Sequence, residues 1–552
     1  MMTAYLDQHL EKWAYWILIC VTLAITPSLS FDPINAPKYF VLVLGTSILL
    51  VYQLKLLRIN LVRASDIILW LILVFIGTLC ISLFTSKAPL QTSFFGFSGR
   101  NTGIITYICL ALLMYIFYLN SAGDLASKTV QALTQLGFIL SIYGIMQAND
   151  WEIFPYGASY GSSVFGTFGN SNFLSGFLGI AGSASAFQIF EKSYSKIRRA
   201  HYSGTLVLCI VVIWLSNSQQ GFLSLAAGIG IGSVLFLFSK GKSILAKTAG
   251  VAFIVASVIS VFSIFNKGPL ASIVYQSSLD TRREYWYAAF QMIKNHPITG
   301  IGFDNFGSFY RQSRSLEMTL KNPDVVTDSA HNVFLDIATG GGIFALISYL
   351  SLILLTVYSV YLVTIKNKSN DKIFTSLVAA WCAYLVQGSI SINNLGLAIW
   401  GWVIPGLIIG YRFRSKAKNS EIRSKERVST KYIKKKNSQL VLLVPLLLGI
   451  SAVPPLLSSI QFYSALQTGN AQKIMNSASL FPNDLTRYIY VATTLRNNEL
   501  NQEAHEIIKA GLMFFPNSFD LWRLDSTLPP NYQIGEAKLQ MKRLDPFNPN
   551  LK

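Results

Sequence analysis

Charged side chains are scarce in this chain of 552 residues. Asp, Glu, Lys and Arg together make up 13% of it, whereas a soluble protein carries about a quarter. Hydrophobic residues make up 52%. This balance excludes an ordinary soluble enzyme and indicates a polytopic membrane protein.

Cysteine and histidine are also rare, with five of each. Every cysteine falls inside an apolar segment, so the sequence predicts no disulfide framework. The histidines are scattered along the chain and form no group with metal-ligand spacing. We therefore expect no metal and no other cofactor.

Acidic residues are fewer than basic ones, and the formal net charge is +19. The short basic loops all fall on one side of the membrane if the N-terminus is cytoplasmic, which satisfies the positive-inside rule. In this arrangement the densest basic run, residues 412–436, is a topological anchor, although such a run also suits RNA or anionic lipid. We expect no nucleic-acid partner.

Thirteen apolar segments approach the roughly 20 residues that a helix needs to cross a bilayer. They are 13–31, 38–57, 65–84, 103–120, 130–147, 172–190, 203–217, 221–239, 243–265, 333–364, 374–392, 396–412 and 439–457. The sequence thus predicts an all-α polytopic membrane protein of about 13 transmembrane helices. Its predicted parts are an N-terminal bundle of about nine helices (1–265), an extracytoplasmic catalytic loop (266–332), helices ten to twelve (333–412), a basic cytoplasmic loop (413–438), a thirteenth helix (439–457) and an extracytoplasmic tail domain (458–552).

The tail domain is polar and helical in pattern. Phe481-Pro482-Asn483-Asp484 recurs as Phe515-Pro516-Asn517-Ser518, and Leu544-Asp545-Pro546 closes a third, shorter unit. The offset between the first two is the 34-residue period of tetratricopeptide (TPR) repeats, so a TPR-like domain is predicted. Two or three units are near the minimum for a stable stack, and a plain helical cap is the alternative.

The outer loop (residues 266–332) is the one long polar interruption between the apolar segments. It carries Arg282 and Arg283 at the head of a predicted amphipathic helix, with Trp286 among the apolar residues at helical spacing. One interpretation places this helix on the bilayer, with Trp286 at the interface and an arginine directed at a lipid phosphate. The alternative is that both arginines merely contact lipid headgroups.

An active site outside the cytoplasm has no nucleotide to use, so its donor must be activated before export. A glycan on a polyprenyl pyrophosphate is such a donor, and arginine binds phosphate oxygens with a rigid bidentate fork. His331, where the outer loop meets the next span, is the candidate base because the ordinary pKa of histidine is near neutrality. A helix cap or interface residue is the alternative. Asp304, Asp328 and Glu284 are rival bases or orienting partners.

Two shorter loops on the same side bring polar groups to the membrane surface. One carries Arg100, and the other carries Asn170 and Asn172. Asparagine pairs suit hydroxyl-rich sugar ligands, but they are also ordinary helix caps. Gly300-Ile301-Gly302 predicts a tight turn, and Gly340-Gly341-Gly342 either allows a close approach or breaks the span in two.

Three motifs occur in one order along residues 90 to 410. They are Gly-Thr-Phe-Gly-Asn-Ser-Asn (166–172), Arg-x-x-x-Trp (282–286) followed by His-Pro-x-x-Gly-x-Gly-x-x-Asn-Phe (296–306), and His-Asn-x-x-Leu (331–335) before a glycine-bearing helix. Together they resemble the O-antigen ligase/polymerase superfamily of bacterial envelope glycosyltransferases. The resemblance implies a GT-C-like membrane fold and metal-independent, inverting transfer of a glycan from undecaprenyl pyrophosphate to a lipid, glycan or protein hydroxyl.

The resemblance also implies residue roles. Arg282 matches the family arginine that contacts the pyrophosphate, His331 the proposed general base, and Gly342 a family glycine. Ala345 stands where a second glycine is common, and Gln220 stands where many members have a second pyrophosphate-binding arginine. Arg100 or Arg283 is then the candidate substitute, and the amide of Gln220 can still hydrogen-bond a phosphate.

The resulting hypothesis is a glycosyltransferase of the bacterial inner membrane whose catalytic residues are His331 and Arg282. The residues expected to bind substrate are Arg283, Arg100, Asn170, Asn172, Gln220, Trp286, Asn305 and Asn332. Its expected partners are an undecaprenyl-pyrophosphate-linked glycan, a lipid, glycan or protein acceptor, and membrane lipids. The alternatives are a transporter of a lipid-linked glycan or small solute, and a non-catalytic scaffold whose tail recruits envelope proteins. The spans are nearly free of charge and show no half-to-half symmetry, which disfavours the transporter.

Overall fold

The computed structural model describes residues 2–59, 66–86, 88–121, 123–156, 164–264, 277–366, 371–421, 442–529 and 534–551. Within these ranges the regular structure is entirely helical, which confirms the all-α class. The first part of the outer loop (266–276) and most of the predicted basic loop (422–438) lie outside the described residues.

The described part of the chain up to residue 264 forms ten helices. They are α1 (Met2–Leu23), α2 (Asn35–Ile59), α3 (Ile67–Thr85), α4 (Leu90–Phe95), α5 (Ile104–Leu119), α6 (Leu125–Ala148), α7 (Ser171–Gln188), α8 (Lys196–Leu215), α9 (Gln219–Ser239) and α10 (Ser243–Ile264).

The outer loop and the following membrane segments contain six more. They are α11 (Ser277–Asn295), α12 (Phe306–Ser313), α13 (Leu316–Lys321), α14 (Val333–Tyr361, continued by a π-helical turn Leu362–Lys366), α15 (Lys372–Ser389) and α16 (Leu395–Glu421). The remaining helices are α17 (Leu443–Ser451), α18 (Val453–Gln467), α19 (Ala471–Ala478), α20 (Leu485–Asn497), α21 (Asn501–Phe514), α22 (Phe519–Ser526) and α23 (Ile534–Leu544), before a short 3-10 turn (Pro549–Leu551).

Nine helical segments of the described chain are long and apolar enough to cross a membrane, so the protein is a multi-pass membrane protein. The predicted spans 13–31, 103–120, 172–190 and 374–392 are not among the nine, although α1, α5, α7 and α15 cover most of each. The number of crossings and the GT-C-like arrangement therefore stay predictions.

The first predicted span, 13–31, was placed too late in the chain. The helix ends at Leu23. The buried ammonium of Lys38 donates hydrogen bonds to the carbonyl oxygens of Thr22 and Ala24 at 2.7 and 3.1 Å. Pro27 follows in the next turn and has no N–H with which to extend the helix. A side chain and a proline, neither of which hydropathy measures, thus fix this boundary.

Helices α7, α9 and α15 pack closely together at the centre of the bundle. The sequence of α7, rich in glycine, alanine and serine, permits this approach. A Cβ on Gly179 would lie 2.7 Å from the carbonyl oxygen of Gly221, so only glycine fits at that crossing. This compact centre forms one wall of the candidate site.

The repeated tail motif marks helix starts. Asp484 accepts a hydrogen bond from the backbone of Thr486 at the start of α20 (2.9 Å), and Ser518 accepts one from Leu521 at the start of α22 (3.3 Å). Helix α20 packs against α21, and α22 against α23. The starts of α20 and α22 are 34 residues apart, which is the period of a TPR-like repeat, but the TPR assignment stays a prediction.

The tail domain docks on the outer loop through a buried ion-pair network. Asp545 is fully buried and accepts from Arg314 at 2.8 Å and from Arg311 at 3.1 Å. The Arg311 guanidinium lies 3.9 Å from the centre of the Phe519 ring. Removing one partner of such a network leaves a buried charge unpaired, so the network fixes the position of the tail.

Candidate functional site

Helix α14 is interrupted where the glycine run occurs. Gly342 has φ 77° and ψ −178°, which breaks the helix between its first and second halves. The backbone N–H of Ile343, just after the break, donates to the carbonyl of Pro297 at 2.8 Å. The break therefore accepts the turn that follows α11, and a side chain at residue 342 would overlap this turn at the carbonyl of Ile298.

The Gly-x-Gly turn completes this contact. The N–H groups of Ile301 and Gly302 donate to the carbonyls of Thr339 and Gly340 at 2.8 and 3.1 Å. Gly300 has φ 65°, and a Cβ there would lie 2.5 Å from the Gly340 oxygen. The two glycine motifs are thus the two halves of one backbone contact, which attaches the outer loop to the bundle.

Asp304 ties the outer loop to the loop before α5. Its carboxylate accepts from the backbone N–H of Phe97 (2.9 Å) and of Thr102 (2.9 Å), from the Thr102 hydroxyl (2.6 Å) and from Arg100 (2.8 Å). Four hydrogen bonds occupy the lone pairs of the carboxylate. Asp304 therefore acts as a brace, and its role as a rival base is disfavoured.

Arg100 is buried against protein carboxylates. It pairs with Asp304 at 2.8 Å and with Asp328 at 3.5 Å. Burial alone would lower the pKa of Arg100, but these carboxylates outweigh burial and raise it. The guanidinium lines a small cavity with Asp336, apart from the cleft that contains Arg282.

His331 is held in an unusual backbone conformation at the start of α14. It has φ 52°, which is uncommon for a residue with a side chain. Its N–H donates to the hydroxyl of Ser329 at 2.9 Å. The next residue, Asn332, caps α14 by accepting from two backbone N–H groups of the first turn (3.0 and 3.1 Å) and donates to the carbonyl of Ser389 at 2.9 Å. Asn332 thus positions the histidine and has protein partners of its own.

The surroundings of His331 favour the neutral imidazole. Burial lowers the pKa of His331 below 6.5, and the positive charge of Arg282 lowers it further. The ring lies against Tyr285, with centroids 5.3 Å apart. Tyr285 and Arg282 are three residues apart on α11 and so share one helix face. A neutral imidazole near pH 7 can accept a proton.

Arg282 and His331 line one cleft of about 440 Å³, hereafter the Arg282–His331 cleft. Its wall on the side of the bundle includes Asn170, Asn172 and Gln220. These five predicted site residues come from four separate parts of the chain. The volume is within the range of small-molecule sites.

Residues 204–350 match the O-antigen ligase family model. The match confirms the resemblance to the O-antigen ligase/polymerase superfamily. It supports, in general terms, a membrane enzyme of the ligase or glycosyltransferase type. No curated protein matches the chain.

The O-antigen ligase segment runs from α8 into α14 and contains Arg282, His331 and Gly342. Asn170 and Asn172 lie before it in the sequence, yet they line the same cleft. The cleft is therefore formed by the O-antigen ligase segment together with other parts of the chain, which include the start of α7, Asn35 and Ser391.

Three predicted substrate-binding residues of the O-antigen ligase segment lie elsewhere. Arg283 lines a separate, open groove on the other side of α11. Trp286 packs against the apolar cluster between α11 and α12 and is partly buried there. Asn305 donates to the hydroxyl of Ser93 (3.1 Å) and to the carbonyl of Phe303 (2.7 Å).

Sequence reasoning missed two residues that support the site. Gln387, on α15, donates to the side-chain oxygen of Gln220 at 3.2 Å. Asp336, one turn into α14, accepts from the backbone N–H of Ala330 at 2.8 Å and so holds the turn before His331. An acid in the first turn of α14 was the visible signal for Asp336, and an amide side chain after the apolar stretch of α15 was the visible signal for Gln387.

Within the ranges that the structure describes, no group of three or more His, Cys, Asp or Glu side chains is arranged to hold a metal ion. The expectation of a metal-independent reaction stays a prediction.

Proposed function

We propose that the protein is a membrane glycosyltransferase that transfers a glycan from undecaprenyl pyrophosphate to an acceptor hydroxyl. The observation that carries the proposal is the Arg282–His331 cleft, where a partly buried cation and an imidazole of lowered pKa face one space. The O-antigen ligase match over the same residues supports it.

The electrostatics of Arg282 favour an anionic ligand. Burial lowers the pKa of Arg282. Among the described residues only the hydroxyl of Tyr285 opposes this effect, and it does so only in part. A buried cation without a carboxylate partner is costly, and a bound anion relieves that cost. A diphosphate offers paired oxygens that a guanidinium binds in bidentate fashion.

His331 would act on the acceptor. Its neutral imidazole takes the proton of the acceptor hydroxyl as the oxygen attacks the anomeric carbon. The bond from the anomeric carbon to the diphosphate oxygen breaks, and the diphosphate leaves with the electron pair. Arg282 offsets the charge that develops on it. Attack opposite the leaving group inverts the anomeric configuration, and no metal takes part.

The amide side chains would hold the sugars next to the diphosphate. Asn170, Asn172 and Gln220 carry donors and acceptors, which match the hydroxyl groups of a sugar ring. Asn172 is oriented by Ser218, which donates to its side-chain oxygen at 2.7 Å. The site thus separates diphosphate binding on α11 from sugar binding on the bundle.

A multi-pass protein with this donor would reside in the bacterial inner membrane. The excess of Lys and Arg in the short loops on one side supports a cytoplasmic N-terminus and an extracytoplasmic tail domain. Membrane lipids and the lipid-linked donor are then its partners in the bilayer.

The test compares Arg282→Ala and His331→Ala with Arg283→Ala. Arg283 is the neighbouring arginine and lines a different groove, so it is a matched control. Transfer from a defined undecaprenyl-pyrophosphate oligosaccharide is measured with a chelator present. We expect the first two variants to lose transfer by about 100-fold or more, as for loss of a general base or a charge-stabilising group, and the control to keep it.

Membrane insertion and protein abundance must be equal in all three variants. Wild-type rates in both Arg282→Ala and His331→Ala would contradict the assigned roles. Loss of wild-type transfer on adding chelator would contradict the metal-independent mechanism.

A further inference from the structure

A second cavity of about 440 Å³, the tail cavity, lies between the outer loop and the tail domain. Tyr285 and His331 line both the tail cavity and the Arg282–His331 cleft. The two spaces therefore adjoin at the candidate base. A transferase must bring its two substrates together at such a point.

The tail domain supplies much of the apolar surface of the tail cavity. The contributing side chains are Leu485, Ile489, Phe515, Phe519 and Leu544. They come from α20, α22, the end of α23 and the repeated Phe-Pro-Asn motif. Residues of the repeated motif thus line a cavity that also contains His331, in addition to stabilising the tail.

Polar groups surround this apolar surface. The outer loop contributes Asn305, Ser308 and Asp328, and the tail contributes Asn517 and Asp520. Amide, hydroxyl and carboxylate groups together offer both donors and acceptors. Such a lining suits a ligand with apolar faces and hydrogen-bonding edges.

The charged groups of the tail cavity already have protein partners. Arg311 pairs with Asp545 at 3.1 Å, Asp520 with Arg523 at 3.0 Å, and Asp328 with Arg100 at 3.5 Å. The Arg282–His331 cleft differs, because within the described residues Arg282 forms no ion pair with a carboxylate. The cleft thus suits an anion, whereas the tail cavity suits a neutral ligand.

We propose that the tail cavity is the acceptor site and that it binds the terminal sugars of a neutral glycan chain. The proposal rests on the proposed function and names its acceptor class. A sugar ring has C–H faces that pack on apolar and aromatic side chains, and hydroxyl edges that reach Asp and Asn. The terminal hydroxyl then lies at His331, opposite the donor.

Two other acceptor classes fit less well. An extended peptide that binds by β-augmentation needs a strand edge, and the described walls of the tail cavity are helical and contain no strand. An acyl chain would displace water from the polar groups of the tail cavity and offer no hydrogen bond in its place, which is costly. A glycan satisfies both kinds of surface.

The test uses the full-length protein and fills the tail cavity with Ile489→Trp. The acceptor probe is a phosphate-free oligosaccharide with the repeat unit of the donor glycan. We expect the acceptor KM to rise about tenfold or more, because the larger side chain occupies the sugar position. The donor KM and the slow hydrolysis of donor without acceptor should stay at wild-type values, because both depend on the Arg282–His331 cleft.

Asp520→Ala provides a second variant that removes a polar group without filling space. Loss of one hydrogen bond to the acceptor should raise the acceptor KM about fivefold. Met513→Trp is the control, since Met513 is 83% exposed on the same domain and lies outside the tail cavity. Melting temperatures near that of the wild type show that the variants are folded.

An unchanged acceptor KM in Ile489→Trp and Asp520→Ala would overturn the acceptor site. Transfer to a serine-bearing peptide or a lipid, with none to the oligosaccharide, would overturn the glycan assignment. A wild-type protein that neither transfers nor hydrolyses the donor would instead count against the proposed function. The two failures are therefore distinguishable.

Discussion

At the scale of residues, the candidate site depends on which arginines already have partners. Arg100 is matched by Asp304 and Asp328, and Arg314 by Asp545, so these cations stabilise the fold. Arg282 differs because it is partly buried and has no carboxylate partner within the described residues, and its charge in turn lowers the pKa of His331. The same cation that would bind the donor thus helps to keep the candidate base neutral.

The depressed pKa of His331 predicts the pH dependence of transfer. A general base must be unprotonated, so the rate falls as pH drops through the pKa of His331. Because burial and Arg282 place that pKa below 6.5, we expect the acid limb of the rate profile to have its midpoint below pH 6.5. The measurement is the rate of transfer against pH at saturating donor.

His296→Asn is the control for this profile, because His296 lies at the end of α11 and does not line the cleft. It should keep the midpoint of the wild type. A wild-type midpoint above 6.5 would contradict the lowered pKa of His331. The free energy of unfolding should also fall as pH drops through this range. His331 binds a proton more readily in the unfolded chain than in the folded protein, so acid favours unfolding.

Five residues of the predicted site line one cleft. The sequence could indicate them because they stand in or near local motifs, such as the Asn pair before α7 and the His-Asn pair before α14. Arg100 could not be assigned from sequence, since its partner Asp304 is 204 residues away and no local pattern links the two. Gln387 was missed for the same reason, because its partner Gln220 lies 167 residues earlier. Pairings of this kind become visible only when the helices are packed.

At the scale of elements, the broken helix α14 controls where the outer loop lies. Its first half presents His331, and its break accepts the turn after α11 through backbone hydrogen bonds. The sequence allowed two interpretations of the glycine run, a close approach or a break. The structure has both, because the broken helix is the surface that the turn approaches.

Gly342→Ala tests this arrangement. The residue has φ 77°, and an added Cβ would overlap the carbonyl of Ile298, so the change adds backbone strain and a clash. Strain of this kind costs roughly 1–3 kcal/mol. We expect a lower melting temperature in detergent and reduced transfer, since the turn no longer seats against α14.

Gly77→Ala is the matched control for this change. Gly77 lies within helix α3, and an added Cβ would meet nothing within 4 Å. Its melting temperature should equal that of the wild type or exceed it slightly, because alanine favours helix over glycine. Equal melting temperatures for Gly342→Ala and the wild type would contradict the stabilising contact between the turn after α11 and the break in α14.

At the scale of the whole molecule, distant parts of the chain meet at one end of the bundle. Asp32, in the turn after α1, accepts from the backbone of Gly99 at 3.2 Å, and its own N–H donates to Ser459 of α18 at 2.8 Å. The tail domain reaches the outer loop through Asp545. Both cavities lie within this assembly, and His331 belongs to both.

The all-helical class followed from hydropathy, because burial in a bilayer imposes long apolar runs. The position of the tail did not, because it depends on one buried carboxylate and a few aromatic contacts such as Phe31 on Phe462. The 34-residue offset predicted where tail helices begin, but gave no sign that their motif would line a cavity beside His331.

The most direct test of the central claim is equilibrium binding of undecaprenyl pyrophosphate, the released product, to the full-length protein in detergent. If Arg282 binds the diphosphate and His331 acts only on the acceptor, Arg282→Ala should weaken binding by about 10-fold or more, as expected for loss of a charged hydrogen bond. His331→Ala and Arg283→Ala should then bind like the wild type. Equal binding by Arg282→Ala and the wild type would contradict the claim.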